Sequence, residues 1–506
     1  MHLSEIAGRT PDKPAIVMSD DGRITTFAEL DRRSRGISGW LRRQGLRPED
    51  HIALLMDNRP EFLEVAWGAQ RSGLYYTPVN WHLTEDETAY VTGDSGARVL
   101  FTSERLAGLA ARVVSRSPAL STAVLVGGAH DGFTRYEQVL GSADSDPIAD
   151  EVEGVYFFYS SGTTGMPKGI RPGHGFPPFG TGLTIDHLMA SAFGFTGDSV
   201  YLCPAPLYHA APIGWSLGAQ RNGGTVVLME RFDPLECLRA IERHRVTHVQ
   251  FVPTMFVRML KLPREQRLAF DLSSLEVVVH AAAPCPVEVK EQMIDWLGPK
   301  VLEFYAGSEG GGMTTITSPE WLAHPGSVGR PALGALHIVG DDGAELPAGE
   351  VGTIYFEGGG AFVYHNDPDK TAQAYNDRGW STLGDLGRVD EEGYLYLADR
   401  RTDLIISGGV NIYPAEVEEA LIMHSAVADV AVIGVPDPEM GQSVRAVVQP
   451  AAGQRPDDEL AQRLLGHCRA KLAGFKLPRS IVFVEELPRL PTGKLLRRRV
   501  REEHGA

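Results

Sequence analysis

The chain has 506 residues, 43% of them hydrophobic and 22% charged, with a formal net charge of −17. That length exceeds what one hydrophobic core serves, so two or three domains are expected. The acidic balance excludes a general nucleic-acid binder, which needs a basic surface.

The four cysteines, Cys203, Cys237, Cys285 and Cys468, show no metal-ligand spacing and point to a reducing compartment. The N-terminus "MHLSEIAGRTPDKPAIVMSDDG" lacks the basic start and apolar run of a signal peptide. No stretch reaches transmembrane length, so a cytoplasmic protein is expected.

In chain order, "HIALLM" (51–56) reads as an apolar strand, Pro60 to Ser72 as a helix, and "LYYTPV" (74–79) as a strand again. "GGTVVLME" is a strand, and Asp233 with Pro234 supplies a cap and first-turn proline for the helix "LECLRAIERHR". "THVQFVP", a helix near "TMFVRML", "SLEVVVH", a helix after Pro286 and "KVLEFYAG" continue the alternation. This rhythm predicts parallel sheets with helices on their faces, whose ligands bind past the carboxyl ends of strands. Near residue 335 the pattern changes to short strands joined by Asp-Gly and Pro-Ala-Gly turns. A compact α+β tail follows: helix "AEVEEALIMH", strands "VADVAVIGV" and "SVRAVVQP", helix "DDELAQRLLGHCRAKL" and strand "SIVFVEE". The expected fold class is therefore α/β: a large N-terminal domain of layered, mostly parallel sheets with a small β-rich subdomain, then a small α+β C-terminal domain. The charged "DRRTD" (399–403) divides them, giving domains 1–399 and 400–506.

Some segments carry chemistry. "SSGTTGMPKG" (160–169) is dense in glycines, hydroxyls and a lysine, all suited to polyphosphate, yet "GMPKG" replaces the G-K-[ST] of a Walker loop. A strand-to-helix turn of small residues is the plainer alternative. In "EFYAGSEGGGMT" (303–314) an aromatic can stack on a base and a carboxylate can hold Mg²⁺, or the segment is a flexible turn. Asp385 in "GWSTLGDLG" can accept from ribose hydroxyls, and Arg400 can contact a phosphate or the ribose. "ELPRLPTGKLLRRRV" by itself reads as a solvated basic tail.

Taken together and in order, "YSSGTTGMPKG", "YAGSE", "WSTLGDLG", "DRRTDLIISGGVNIYPAEVE" and "PTGK" resemble the signature motifs of the adenylate-forming acyl-CoA synthetases. That family includes acyl- and aryl-CoA ligases, nonribosomal adenylation domains and beetle luciferases. The resemblance covers nearly the whole chain. It implies an ATP-dependent ligase that makes an acyl-adenylate and pyrophosphate, turns a mobile C-terminal domain, and lets a thiol displace AMP.

By that resemblance Ser160, Ser161, Gly162, Thr163, Thr164, Gly165 and Lys168 hold the β- and γ-phosphates, with Thr163 and Glu309 near Mg²⁺. Tyr305 lies against the adenine, lined also by Ala282, Ala283 and Pro284, and Ala306, Gly307 and Ser308 complete the nucleotide strand. Asp385 binds the ribose, Arg400 the nucleotide, and Lys494 bridges the carboxylate and the α-phosphate. Thr402 matches the hinge, and Ser407, Gly408 and Gly409 form the loop on the coenzyme A side. Tyr208, His209, Trp215, Gly310, Gly311, Gly312 and Met313 border the acyl pocket; His209, grouped with the catalytic positions Lys494 and Glu309, has a structural rather than acid–base role.

Departures from the pattern are Ala306 and Ser308 for Gly and Thr, Leu383 for a threonine, Ile406 for a lysine, and "AAAP" without its glycine. The glycines 310–312 leave room for a bulky or extended apolar acid (fatty, steroid-side-chain or aryl-alkanoic), whereas Met313 and Trp215 favour a smaller one. Free CoA is the expected acceptor, because the chain ends soon after Lys494. A ligase loading a separate acyl-carrier protein is the alternative, and a non-catalytic nucleotide sensor a remote one. The implied partners are a small carboxylic acid, ATP and CoA, with no nucleic acid; a homodimer is compatible with the sequence.

Overall fold

The computed structural model describes residues 2–141, 146–160, 167–400, 403–408, 410–490 and 495–505. The chain divides into two compact units. One comprises Met1–Phe251, Arg264–Val279 and Ala361–Thr371; the other comprises Val252–Pro263, His280–Gly360 and Ala372–Ala506.

The first unit is the predicted layered α/β structure. Among the described residues its six-stranded sheet runs Thr134–Arg135, Thr122–Val126, Ala97–Ser103, His51–Leu55, Tyr75–Pro78, Val155–Tyr156, with every pairing parallel. Parallel strands covered on both faces read as continuous apolar runs, and Ile52, Ala53, Leu54, Leu55, Leu100 and Phe101 are all fully buried. Each large side chain so buried contributes about 1.5–3 kcal/mol. A second group of strands is ordered Ile24–Thr26, Pro14–Met18, Thr225–Leu228, Val200–Cys203, His248–Phe251. Its helices start where local chemistry says they should. Thr26 and Glu29 form a reciprocal capping box before Phe27–Arg43, and the Asp233 carboxylate accepts from the Leu235 and Glu236 amides at 2.9 and 3.0 Å.

Two buried arginines knit these helices together. Arg221, at the end of helix Ala210–Arg221, is 1% exposed; it pairs with Glu153 and lies 3.0 Å from Asp186 of helix Thr184–Phe193. It also donates to Gln70 at 2.9 Å and lies over the Trp67 ring. Arg71 is 3.0 Å from Asp31 and 3.1 Å from Glu151. Glu151 and Glu153 lie on the approach to the strand Phe158–Ser160, so the entry to the glycine-rich segment is anchored by buried charge. That segment does not join a strand to a helix. Phe158–Ser160 and Lys168–Pro172 pair antiparallel, and Phe362–Tyr364 adds a third strand.

The second unit holds the antiparallel strands Val301–Ala306, Met313–Ile316 and Arg330–Leu333. A four-stranded antiparallel sheet follows the 335 transition: Ala335–Val339, Gly352–Glu357, Asp385–Val389, Leu395–Arg400. The C-terminal module is built on the long hairpin Val427–Asp437/Gly441–Pro450; Ser480–Phe483 pairs in parallel, and Ile405–Ser407 antiparallel, with Gly441–Pro450. Ala431, Ile433, Val435, Val447, Leu487 and Val500 form its core. The basic stretch read above as a solvated tail is the helix Arg497–His504. Arg497 contacts Glu418 at 2.5 Å and donates to the Val432 carbonyl at 2.7 Å, while Arg501 lies 2.5 Å from Asp403.

One half-buried base in the first unit gives a pH dependence. His51 stacks on Tyr75 at 4.7 Å, and its Nδ1 has no hydrogen-bond partner among the described residues. Burial, with lesser contributions from His365 and Arg171, lowers its pKa from 6.5 to about 4. Between those values the unfolded chain binds a proton that the folded chain refuses, so stability is lost as pH falls through that window. We predict that His51→Phe flattens this slope. Denaturant unfolding at pH 7 and pH 5 should show wild type losing up to about 1.4 kcal/mol per pH unit more than the variant.

Candidate active site

Ser161, Gly162, Thr163, Thr164, Gly165, Thr402, Gly409 and Lys494 lie outside the described residues. In the first unit the strands that flank the glycine-rich segment are well anchored. Ser160 ends one strand and Lys168 opens the next, paired in register. Lys168 Nζ is 2.7 Å from Asp367, whose hydrogen bond raises the lysine pKa above its ordinary value. Tyr159 donates to Asp94 Oδ2 at 2.8 Å, Asn366 Nδ2 donates to Asp94 Oδ1 at 3.1 Å, and the His365 ring bonds the Asp94 carbonyl at 3.0 Å. Asp94 and Asp367 were not found by sequence reasoning, because nothing local to either residue signals the hairpin it serves.

Of the expected acyl-pocket residues in this unit, His209 is half-buried at the N-cap of helix Ala210–Arg221, its ring 4.5 Å from that of Tyr208. Trp215 is buried among Phe193, Phe195 and Tyr201, with ring centroids at 4.9, 5.7 and 6.3 Å.

The second unit brings other expected residues together. Tyr305, on strand Val301–Ala306, donates its hydroxyl to Asp385 Oδ2 at 2.7 Å. A carboxylate has about four acceptor positions, so this bond leaves Asp385 capacity for further donors. Arg400 stands directly across from Asp385 in the neighbouring strand. Ala306 continues the Tyr305 strand, Ser308 is exposed and Glu309 half-buried. Gly307 is required by packing: a Cβ there would meet Leu383 at 2.6 Å and Glu309 Oε2 at 2.7 Å. Leu383, noted as a departure from the usual threonine, thus packs against Gly307.

The glycines 310–312 are not uniformly open. Gly310 is exposed with φ +72°, but any side chain at Gly312 would collide with the Phe356 ring, and Gly311 lies against Gly359. Met313 is buried on strand Met313–Ile316. Ala282 is exposed with φ +76°, beside the half-buried Ala283 and the exposed Pro284. In the C-terminal module Ser407 and Gly408 line a cavity of about 210 Å³ together with Met440, Phe475 and Arg479. Among the described residues there is no ready-made cluster of three metal-ligating side chains. A lone carboxylate such as Glu309 suits Mg²⁺, which is commonly held by one or two carboxylates plus substrate phosphates. No helix among the described residues is long and apolar enough to cross a membrane.

Comparison with known proteins gives the family. The sequence profile of the AMP-binding enzymes matches residues 3–363, and that of the AMP-binding enzyme C-terminal domain matches residues 416–494. The chain is 36% identical over 505 residues to a feruloyl-CoA synthase of Amycolatopsis sp, covering 97% of this chain and 96% of that protein. It is 32% identical to the fatty acid–[acyl-carrier-protein] ligase ScoC of Streptomyces coeruleorubidus, covering 98% and 94%. The crystal structure of the anthranilate CoA ligase AuaEII with anthranoyl-AMP superposes with a TM-score of 0.84 at 26% identity, covering 99% of this chain and 97% of that one. Fold and sequence together define an AMP-forming acid–thiol ligase. The chain belongs to the AMP-binding enzyme family.

The left-handed backbone at Ala282 is a strained conformation for any residue with a Cβ. Ala282→Gly should raise unfolding stability by about 1 kcal/mol, read as a higher denaturant midpoint with an unchanged slope.

Proposed function

We propose that the chain is an acyl-CoA ligase for a bulky or extended apolar acid of the fatty, steroid-side-chain or aryl-alkanoic kind. The observation that carries this reading is similarity along the whole chain to a ligase of an aryl acid and a ligase of fatty acids. An oxygen of the substrate carboxylate attacks the α-phosphorus of ATP, and the bond to pyrophosphate breaks. The sulfur of a thiol then attacks the acyl carbon, and AMP leaves with the electron pair. The first step turns a poor electrophile into a good one.

Residues 160–168 would hold the departing phosphates, and Thr163 with Glu309 would hold Mg²⁺, which supplies charge neutralisation when bound. Tyr305 and residues 282–284 would enclose the adenine, with Asp385 and Arg400 on the ribose and phosphate. Lys494 would stabilise the charge that builds in the displacement. We place the division at 399/400, so that domain 400–506 carries Lys494 and turns about Thr402 between the two steps. The separate family matches to residues 3–363 and 416–494 support that division.

CoA is favoured as acceptor by the cavity beside Ser407 and Gly408. It is lined by the exposed Phe475 ring and the Arg479 guanidinium, which suit a base and a phosphate. The similarity to ScoC keeps an acyl-carrier protein as the second reading. Thioester formation across a panel of acids, with CoA and a phosphopantetheinylated carrier run in parallel, tests both. Strong preference for acetate or an amino acid would reject the bulky-acid reading, and adenylate that only the carrier discharges would reject CoA.

Lys494→Ala should lower adenylate formation about 10²–10³-fold, measured as pyrophosphate exchange. Thioester formation from supplied acyl-adenylate should be unchanged. Equal loss of both would reject the assignment of Lys494 to the first step.

A further inference from the structure

Behind the loop 281–286 lies a set of buried charges that neither chemical step employs. Lys290, 1% exposed, stands on helix Val287–Leu297, and its Nζ is 2.5 Å from Oε2 of Glu303, itself buried on strand Val301–Ala306. The ammonium also lies 4.9 Å from the centroid of the Trp321 ring. His280, fully buried at the end of strand Val277–His280, places Nε2 3.5 Å from the same Glu303 oxygen. Neither ring nitrogen of His280 has a hydrogen-bond partner among the described residues.

Taking a charge pair out of water is costly, and an apolar pair of the same shape serves stability as well or better. Stability alone therefore does not account for Lys290 and Glu303. Their geometry does. The loop that contains Ala282, Ala283 and Pro284 leaves His280 and re-enters structure at the helix bearing Lys290, so both of its ends converge on one carboxylate oxygen. Glu303 is two residues before Tyr305, and alternation puts both on the same face of the strand.

We propose that Glu303 and Lys290 are a positioning pair: they fix the loop 281–286 against the strand bearing Tyr305 and so set the width of the adenine slot. The proposal rests on the reading of residues 282–284 and Tyr305 as the walls of that slot. A charged pair suits the task because its preferred geometry is narrow, whereas apolar contacts slide. The loop needs such fixing, since Ala282 holds it in a backbone conformation that alanine does not favour.

The test uses the full-length chain with Lys290→Met and Glu303→Gln singly, and Lys290→Met/Glu303→Leu together. Tm is followed by calorimetry, the Kd of ATP in MgCl₂ by titration calorimetry, and KM for the acid that the panel selects by turnover. Each single variant should lower Tm and raise the Kd of ATP about tenfold. The double variant should recover Tm, because the lone buried charge is gone, while its Kd stays raised and KM for the acid changes less than about twofold. Recovery of ATP affinity together with Tm would overturn the proposal, as would unchanged affinity in Lys290→Met. Tyr305→Ala separates the two levels. If it weakens ATP binding while Lys290→Met does not, the positioning pair fails alone; if it leaves ATP binding unchanged, the adenine slot itself is misassigned and the pair falls with it.

Discussion

The first unit depends on Arg221. Its guanidinium is almost fully buried, and its pairs with Glu153 and Asp186 join two helices to the segment that feeds the glycine-rich hairpin. A buried guanidinium is tolerable only when its charge is matched by opposite charges close by, so the three elements can pack in few other ways. Removing one partner of such a pair costs about 3–5 kcal/mol, far more than an exposed ion pair contributes. Gly154 has the same consequence at close range: a Cβ there would lie 2.5 Å from the Leu74 carbonyl, so the strand entry fits only a glycine. The chain leading into the phosphate-suited segment is thus fixed by residues outside that segment.

Small residues near the expected acyl site do two different things. Gly310 is exposed with a left-handed backbone, so it serves a turn. Gly312 is buried, and the volume its side chain would occupy belongs to Phe356, which also packs with Ile338, Ile354 and Leu395. A run of glycines read as open space is partly a contact surface for the four-stranded sheet. The same holds for Gly307 and Leu383. The leucine that replaces a hydroxyl residue is accommodated because Gly307 offers no side chain opposite it.

What could be read in the sequence is what is local. The alternation of strand and helix, the Asp233–Pro234 helix start and the change of character near residue 335 all follow from side-chain periodicity and turn chemistry within a few residues. That Tyr305 and Asp385, 80 positions apart, serve one nucleotide was implied only by matching whole motifs to a family, and their direct hydrogen bond was not foreseen. Arg221 and Glu153, 68 positions apart, carry no such motif, and charged residues in a sequence look alike whether they end up in water or in a core. The antiparallel setting of the glycine-rich hairpin was missed for the same reason. Its third strand, Phe362–Tyr364, lies far along the chain, and a strand followed by glycines reads equally well as the start of a parallel unit. The terminal arginines looked like a solvated tail because their partners, Asp403 and Glu418, belong to distant elements.

A common physical logic links the segments assigned to chemistry. They are built of glycine, alanine, serine and threonine, which let backbone approach a ligand but bury little surface of their own. Their flanks are therefore held by charged, directional contacts. Lys168 bonds Asp367 and Tyr159 bonds Asp94 beside the glycine-rich hairpin. On either side of 491–494, Arg489 is tied to Asp429 and Arg497 to Glu418 and the Val432 carbonyl. Those last anchors matter for the proposed turning domain. Asp429 and Val432 both belong to the hairpin strand Val427–Asp437, and Glu418 to helix Pro414–Ile422 packed against it. The chain on both sides of 491–494 is thereby tied to one packed module.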